Sequence, residues 1–549
     1  MRGVRTPEPN AVSAWEPVRL AAGVMLTMAA VALQLVFVWH AGPLWRDEAN
    51  SANLAALRSW WAIWDYSRYD SFPRLWNVLV WVLGQVGWTS DFHLRAVGLV
   101  AAWLQLAALW WAGRAVTGRA PLVALLLYGL AAPAVVYGTM FRGYGLGAAA
   151  FLLASGSLLR WMVAPTWRRA AWLAAANVIA VQSNFANGVL LAALHAAAAL
   201  GLWRPGGRVP APARAWAMVA AALGVATLSL GFSWSWIRYA FEVGVSEQRP
   251  VSLGVVAAVW WQSLGTQGWL RAALWCGAFL ALGWLFGERL AGRVREERAC
   301  MLAWACPLAV GLFLLYFWQF ARLPSQEWHY LSLNAFVALA AEFAVQRLAY
   351  RRPMLDRAVA IGGVVLGLWL AWQAWPIVAV RMSNVDLIAG ILRAQAAPQD
   401  LVVVAPWYCG ISFQRYYHGP APWITLPEVP DHRFHYHLAI RAKMALGDRG
   451  IEEERVRIVE ALKRGSRVWL VGDLSAPPAG ELPPSLPPAP HPVTGWRAGP
   501  YLEAWEQQIA ALLRDHSREI WGIEVPRPTR INPWENLALT VIEGWQQGP

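Results

Sequence analysis

The chain has 549 residues, 58% of them hydrophobic and only 14% charged, where a soluble globular chain carries about a quarter charged residues. Its net charge of +13 would suit nucleic acid, but the arginines sit in short loops between apolar segments, where retention of positive loops in the cytoplasm explains them. Composition therefore excludes a soluble enzyme and a nucleic-acid binder, and points to a multi-pass membrane protein.

Apolar segments run at 20–39, 94–112, 120–137, 145–163, 170–183, 186–202, 215–236, 269–286, 301–320, 331–346 and 358–380. Each approaches the roughly 20 residues that cross a bilayer core, so about eleven spans are expected. The first could be a signal peptide, but it is long and uniform, lacks a small-x-small cleavage site and is followed by further spans, so it reads as an uncleaved helix.

Every second loop is rich in arginine: Arg114 and Arg119, then Arg160, Arg168 and Arg169, then Arg204, Arg208 and Arg214, then 289–298, then 347–357. This alternation predicts a cytoplasmic N-terminus and a C-terminal region on the outer, periplasmic face of a bacterial inner membrane. Pro73–Val86 is apolar but short. If it crossed, the later basic loops would all flip outward, so it is expected to lie in the interface or to re-enter. Ala49–Trp64 and Val255–Leu264 read as amphipathic helices in the headgroup layer.

The expected division is a membrane domain over 15–382 and a soluble α/β domain over 383–549. In the latter, Asp386–Ala396, Ile451–Arg464 and Tyr501–Arg514 read as helices, and Leu401–Ala405 and Arg467–Val471 as strands. Ala476–Pro492 is proline-rich and reads as loop. Cys276, Cys300, Cys306 and Cys409 have neither metal spacing nor a disulfide pattern.

Three outer connections carry residues with chemical potential. Asp47 and Glu48 follow the first span directly. They would suit a helix N-terminus, where Asp is a favoured cap, or a general base at the membrane surface. Arg142 and Tyr144 occupy the short connection Val136–Gly145, as interfacial anchors or as a cation that forks onto a lipid-linked phosphate. Arg322, His329 and Tyr330 add a cation and an imidazole to the same face, or form a plain polar loop. Asp431–His437 holds three histidines; a solvated loop is expected there, with a metal site as the alternative.

These pieces, in this order, resemble the GT-C glycosyltransferases, in particular the protein O-mannosyltransferases and the aminoarabinose transferases that modify lipid A. Asp47-Glu48 match the family's acidic pair after the first helix, and Arg142-Gly143-Tyr144 matches its Arg-x-Tyr element. Ser71-Phe72-Pro73-Arg74-Leu75-Trp76 falls at a proline-rich stretch, keeping one proline and lacking the histidine. His329-Tyr330 falls at a late Arg-Tyr, with His replacing Arg. The resemblance covers residues 15–350 and the layout of the tail.

It implies a mainly α GT-C fold and transfer of a sugar from a polyprenyl-phosphate donor to a hydroxyl of a lipid, glycan or protein acceptor among membrane lipids. Asp47 with Glu48 would be catalytic, and Arg74, Arg142, Tyr144, Arg322, His329 and Tyr330 would bind substrate. Some relatives use a divalent metal, Mg or Mn, for which Asp47, Glu48, Asp65, Asp70 and Asp91 are the acids at hand. The alternatives are a transporter or flippase of lipid-linked sugars, against which no internal repeat is visible, and an assembly protein whose tail binds a partner.

Overall fold

The computed structural model describes residues 16–202, 213–247, 251–294, 296–321, 324–350, 353–477, 481–493 and 495–546. The protein is a multi-pass membrane protein. Its helices run α1 (Glu16–His40), α2 (Arg46–Ala55), α3 (Trp60–Tyr66), α4 (Arg74–Gln85), α5 (Asp91–Thr117), α6 (Leu122–Gly129), α7 (Ala132–Thr139), α8 (Tyr144–Val163), α9 (Trp167–Ser183) and α10 (Asn187–Leu202). There follow α11 (Ala213–Ser229), α12 (Trp234–Glu247), α13 (Leu253–Ser263), α14 (Trp269–Leu290), α15 (Glu297–Leu315), α16 (Leu331–Tyr350) and α17 (Pro353–Val378).

All eleven expected segments are helical. Among the described residues eight helical stretches are long and apolar enough to cross a membrane, and α6–α7 make a ninth if that bent pair is one span. The other two expected segments form α9 and α10, of 17 and 16 residues.

The α6–α7 pair bends by 72°. Pro133 opens α7 and cannot donate back along the helix. The carbonyls freed at the break would be costly in an apolar bundle. Arg271 of α14, itself buried, answers them: its Nη2 donates to Leu130 O at 2.9 Å and its Nη1 to Leu127 O at 3.3 Å.

Three short helices, α2, α3 and α4, separate α1 from the next long helix. Pro73–Val86 forms α4, whose 12 residues span about 18 Å, too little to cross. It lies against the end of α2 so closely that a Cβ on Gly84 would stand 1.9 Å from Ala55 O. The single amphipathic helix expected over Ala49–Trp64 is instead two, α2 and α3, because Ser59 caps a new start by accepting from Trp61 N at 3.2 Å. Nor does α2 float in the headgroup layer, since Glu48, Asn50 and Ser51 are all fully buried.

The arginine-rich connections meet at one end of the bundle. There Arg119 approaches Glu16 at 3.8 Å, Arg347 pairs with Glu296 at 3.0 Å, and Arg169 Nη1 donates to Arg160 O at 2.7 Å. Just inside that end the buried Arg19 pairs with the buried Glu342 at 2.8 Å. The C-terminal region sits at the other end.

That region begins with β1 (Val380–Arg381) and α18 (Val385–Gln395), then β2 (Leu401–Val404), α19 (Gly410–Tyr416), β3 (Trp423–Thr425), α20 (His437–Ala445), α21 (Glu452–Lys463) and β4 (Val468–Val471). It ends with α22 (Gly499–His516), β5 (Ser517–Gly522), β6 (Arg530–Ile531) and β7 (Leu539–Trp545). The main sheet has the order β3-β2-β4-β7-β5. β3, β2 and β4 are parallel, and β7 runs antiparallel to β4 and β5. β2 and β4 are buried on both faces, as their unbroken apolar runs LVVV and VWLV require. The expected helices and these two strands are present; β3, β5 and β7 add to them. β1 and β6 pair with each other, and Met382 N donates to Ala41 O at 2.7 Å, which ties the tail to the end of α1.

Candidate active site

The site is built where α1 hands over to α2. Trp45 occupies the position before α2 and makes no side-chain cap. The exposed helix start is instead satisfied from the tail, because Arg46 N donates to Glu535 Oε2 at 2.7 Å. Burial pushes the Glu535 carboxyl up to about 7 against the opposing charge of Arg46. Its other oxygen accepts from Ser383 at 2.7 Å.

Asp47 is therefore not the cap that its place in the sequence allowed. Its carboxylate faces His435, whose Nε2 lies 3.3 Å from Asp47 Oδ1, and Arg46 Nε lies 3.8 Å away. Burial alone would raise its pKa. The hydrogen bond with His435 and the charge of Arg142 carry it well below the usual carboxylate range.

Glu48 is fully buried and turned inward, where it pairs with Arg95 and accepts from Phe141 N at 2.7 Å. Burial raises its pKa against the pull of Arg95. This carboxylate ties α2 to α5 and to the α7–α8 turn; it does not share a site with Asp47.

Arg142 sits in the turn between α7 and α8, where Gly143 is needed because a Cβ there would meet the Phe72 ring at 2.6 Å. The guanidinium is buried beneath α2. Its Nη1 donates to Asp47 O at 2.7 Å, to Ser51 Oγ at 2.8 Å and to Asp70 Oδ1 at 2.8 Å, and it lies 4.6 Å over Phe72. Asp70 is also buried; its Oδ2 accepts from Ser51 Oγ at 2.8 Å and its Oδ1 from Ser71 N at 2.8 Å. Burial would lower the Arg142 pKa, but Asp70 and then Asp47 hold it above the ordinary value. A guanidinium so enclosed fixes the helix end that carries Asp47, and it is not presented to a lipid phosphate.

The segment expected as a solvated loop is docked. Phe434 is fully buried and packs on Tyr66 at 5.0 Å and Tyr69 at 6.2 Å, and Tyr436 packs on Tyr69 at 4.8 Å. His435 N donates to Asn50 Oδ1 at 3.0 Å, and Asn53 Nδ2 donates to Arg433 O at 2.7 Å. Two polar residues of α2, Asn50 and Asn53, thus clamp the tail. The rings of His435 and His437 stack at 5.8 Å and 17°, and burial drives the His437 pKa down to about 3.

Of the other expected residues, Tyr144 reaches the site. It packs on Phe72 at 4.7 Å and lies 6.5 Å from His329. His329 stacks on Phe317 at 5.2 Å, and its Nδ1 accepts from Gln326 N at 3.0 Å. Tyr330 points elsewhere: it is fully buried, with its hydroxyl on Ser325 at 2.8 Å. Arg74 is buried over Trp64 at 3.5 Å and donates to Ser235 Oγ at 2.5 Å, so it braces α4 against the start of α12. Arg322 lies outside the described residues.

Four of the five acids named for a divalent metal are matched by a cation: Asp47 by His435 and Arg46, Glu48 by Arg95, Asp70 by Arg142, and Asp91 by Arg415 at 2.7 Å. Among the described residues no group of three or more His, Cys, Asp or Glu is placed to hold a metal. A divalent cation does not fit this arrangement, and no step is routed through one.

Beside the site lies a cavity of about 650 Å³, lined by α7, α14, α17 and the tail residues Arg530–Trp534. Trp534 lines it on the side of Arg46. Its carbonyl accepts from Arg46 Nη1 at 2.6 Å, and its ring meets Trp328 at 6.0 Å. Trp328 in turn packs on Tyr137 at 5.1 Å and Trp45 at 5.8 Å, which gives a continuous aromatic wall.

No family model matches the sequence, and no curated protein matches it by sequence. Solved structures do match. ArnT from Cupriavidus metallidurans bound to undecaprenyl phosphate is 13% identical with a TM-score of 0.51, over 84% of this chain and 93% of that one. The same protein in the apo state is 14% identical, also at 0.51, over 82% and 92%. An oligosaccharyltransferase from Archaeoglobus fulgidus in complex with Zn and sulfate is 12% identical at a TM-score of 0.45, over 82% of this chain and 67% of that one. At these identities the ArnT likeness establishes the fold: the chain has a GT-C fold, as its motifs implied.

Proposed function

We propose that the protein is a membrane glycosyltransferase that moves a sugar from a polyprenyl-phosphate donor to an acceptor hydroxyl, with Asp47 as the general base. The observation that carries this reading is the state of Asp47. It is an ionised carboxylate released from any capping duty, held at the end of the first span by Arg142 from below and His435 from the tail. The similar ArnT structure was solved with undecaprenyl phosphate, which supports a lipid-linked donor.

In this reading the acceptor O–H gives its proton to Asp47 while its oxygen attacks the anomeric carbon. The bond from that carbon to the phosphate oxygen breaks, and the polyprenyl phosphate leaves with the electron pair. A long-tailed donor is confined to the bilayer, so its phosphate lies at headgroup depth, near the span ends. Arg46, beside Asp47 and bonded to the cavity wall at Trp534, is the cation placed to meet that charge. The aromatic wall of Trp328 and Trp534 offers a face for the sugar. Arg142, Asp70 and Ser51 are positioning residues, and Tyr144 and His329 line the approach.

We further assign residues 15–382 to the catalytic membrane domain and 383–549 to a periplasmic domain, with the N-terminus in the cytoplasm of a bacterial cell. The test is proteoliposomes loaded with undecaprenyl-phosphate mannose, glucose or aminoarabinose, each labelled in the sugar, plus an envelope lipid and glycan extract as acceptor. Acceptor-dependent release of undecaprenyl phosphate with capture of the label supports an enzyme. Movement of intact donor across the bilayer with no sugar released makes the protein a flippase and overturns the reading.

A further inference from the structure

At the arginine-rich end of the bundle, far from Asp47, α5, α8, α9 and the start of α15 enclose a second cavity of about 590 Å³. Its shape is a groove. From Arg160 to Ala150 along α8, and from Arg169 to Ile179 along α9, it runs about 15 Å. Trp111 and Trp172 form its sides, and small residues such as Ala175 leave room along its length. Trp172 is 73% exposed and Ile179 is 42% exposed, so the groove opens outward from the bundle.

Its charges all lie at one end. Arg160, Arg169 and Arg298 come from three different helices and converge on the mouth. Arg160 lies 4.6 Å over the Trp111 ring, and the Arg169 guanidinium donates to the carbonyls of Arg160 and Ala164, at 2.7 and 3.3 Å. Among the described residues neither meets a carboxylate. Arg298 lies 3.2 Å from Glu296, but that acid also serves Arg347 at 3.0 Å. The mouth therefore carries uncompensated positive charge above an apolar, chain-shaped slot.

We propose that this groove is a binding site for a membrane phospholipid with an anionic headgroup, whose phosphate sits among Arg160, Arg169 and Arg298 and whose acyl chain fills the slot beside Trp172. Basic pockets between spans attract anionic headgroups, and an arginine offers a phosphate a two-pronged donor. The apolar length fixes the occupant as a lipid, because a free phosphate would leave the slot empty. The site stands apart from Asp47 and is independent of the glycosyltransferase reading.

Native mass spectrometry of the detergent-purified protein, incubated with equal amounts of phosphatidylglycerol and phosphatidylcholine, tests it. The wild type should retain phosphatidylglycerol preferentially. Arg160→Gln with Arg169→Gln should lower that preference on the order of thirtyfold, since each arginine near a charged headgroup is worth about a factor of five. Ala175→Phe leaves every charge in place but fills the slot, and should abolish retention of either lipid while the protein unfolds at its usual temperature. Equal retention of the two lipids by the wild type, an unchanged preference in the double variant, or full retention by Ala175→Phe would each overturn the proposal. Recovery of a polyprenyl phosphate from the groove in place of phospholipid would do the same.

Discussion

His435 Nε2 lies 3.3 Å from Asp47 Oδ1, so a histidine of the C-terminal region touches the acid that directly follows the first span. The contact is anchored on both sides of it: Asn50 receives the His435 amide, and Phe434 is buried between Tyr66 and Tyr69. The tail thus completes the site as well as covering it.

His435→Gln should keep the fold, because the anchoring falls to Phe434 and Asn50. It should slow transfer on the order of tenfold, the usual worth of one hydrogen bond to a charged group. The diagnostic readout is the pH profile. Without His435 the Asp47 pKa rises, so the acidic limb of kcat/KM should move to higher pH. A profile that keeps its acidic limb in place would limit His435 to packing.

Arg142 and Asp70 are both buried and pair at 2.8 Å. Removing one partner strands the other's charge, which typically costs about 3–5 kcal/mol. Arg142→Ala and Asp70→Asn should each lower the unfolding temperature markedly in detergent. Arg142→Lys should lie between wild type and Ala, since it keeps the charge but cannot reach Asp70, Ser51 and the Asp47 carbonyl together. Thermal unfolding near wild-type values for Asp70→Asn would show that the pair is not what holds α2 in place.

His437 is held neutral, with its pKa down at about 3, while in an unfolded chain it would be near 6.5. As pH falls from about 6.5 toward 3 the unfolded state takes up a proton that the folded state refuses, so stability falls over that window. Glu535 works the other way. Its pKa is about 7, so stability falls as pH rises from its unfolded value near 4.5 to 7. His437→Gln should flatten the acid side of a plot of unfolding temperature against pH, and Glu535→Gln the neutral side. If neither variant changes the slope in its own window, these groups do not set the pH response.

Much of this architecture was legible in the sequence, because lipid enforces it. Apolar length and arginine alternation located the eleven helical segments and kept Pro73–Val86 from crossing. Asp47, Arg142 and Tyr144 stood out in the sequence because they sit at span ends within motifs. What stayed hidden were partners distant in the chain. Asp70 looked like any other loop acid, and Asp431–His437 looked solvated because nothing local reveals that Asn50, Asn53, Tyr66 and Tyr69 are waiting for it. The partners of Glu48 and Arg142 were hidden for the same reason: Arg95 and Asp70, which pair with them, are not their neighbours in sequence. Strand Ser517–Gly522 was missed because it is a largely exposed edge with no apolar run.

The proposed orientation rests on the two ends of the bundle. Reporter fusions at residues 117 and 420 should read cytoplasm and periplasm respectively, since one lies at the arginine-rich end and the other in the tail. Two fusions that report the same compartment would contradict the proposed topology.

The central claim is that Asp47 accepts the proton of the acceptor hydroxyl. Asp47→Asn tests it most directly, because Asn serves a helix start about as well as Asp and keeps the side chain's size, yet has no basic oxygen. The measurement is the rate of acceptor-dependent undecaprenyl phosphate release from labelled donor in proteoliposomes, with unfolding temperature followed alongside. The account predicts a variant that folds normally and transfers at a rate lower by on the order of a hundredfold or more. A normally folded Asp47→Asn protein that transfers sugar at close to the wild-type rate would contradict it.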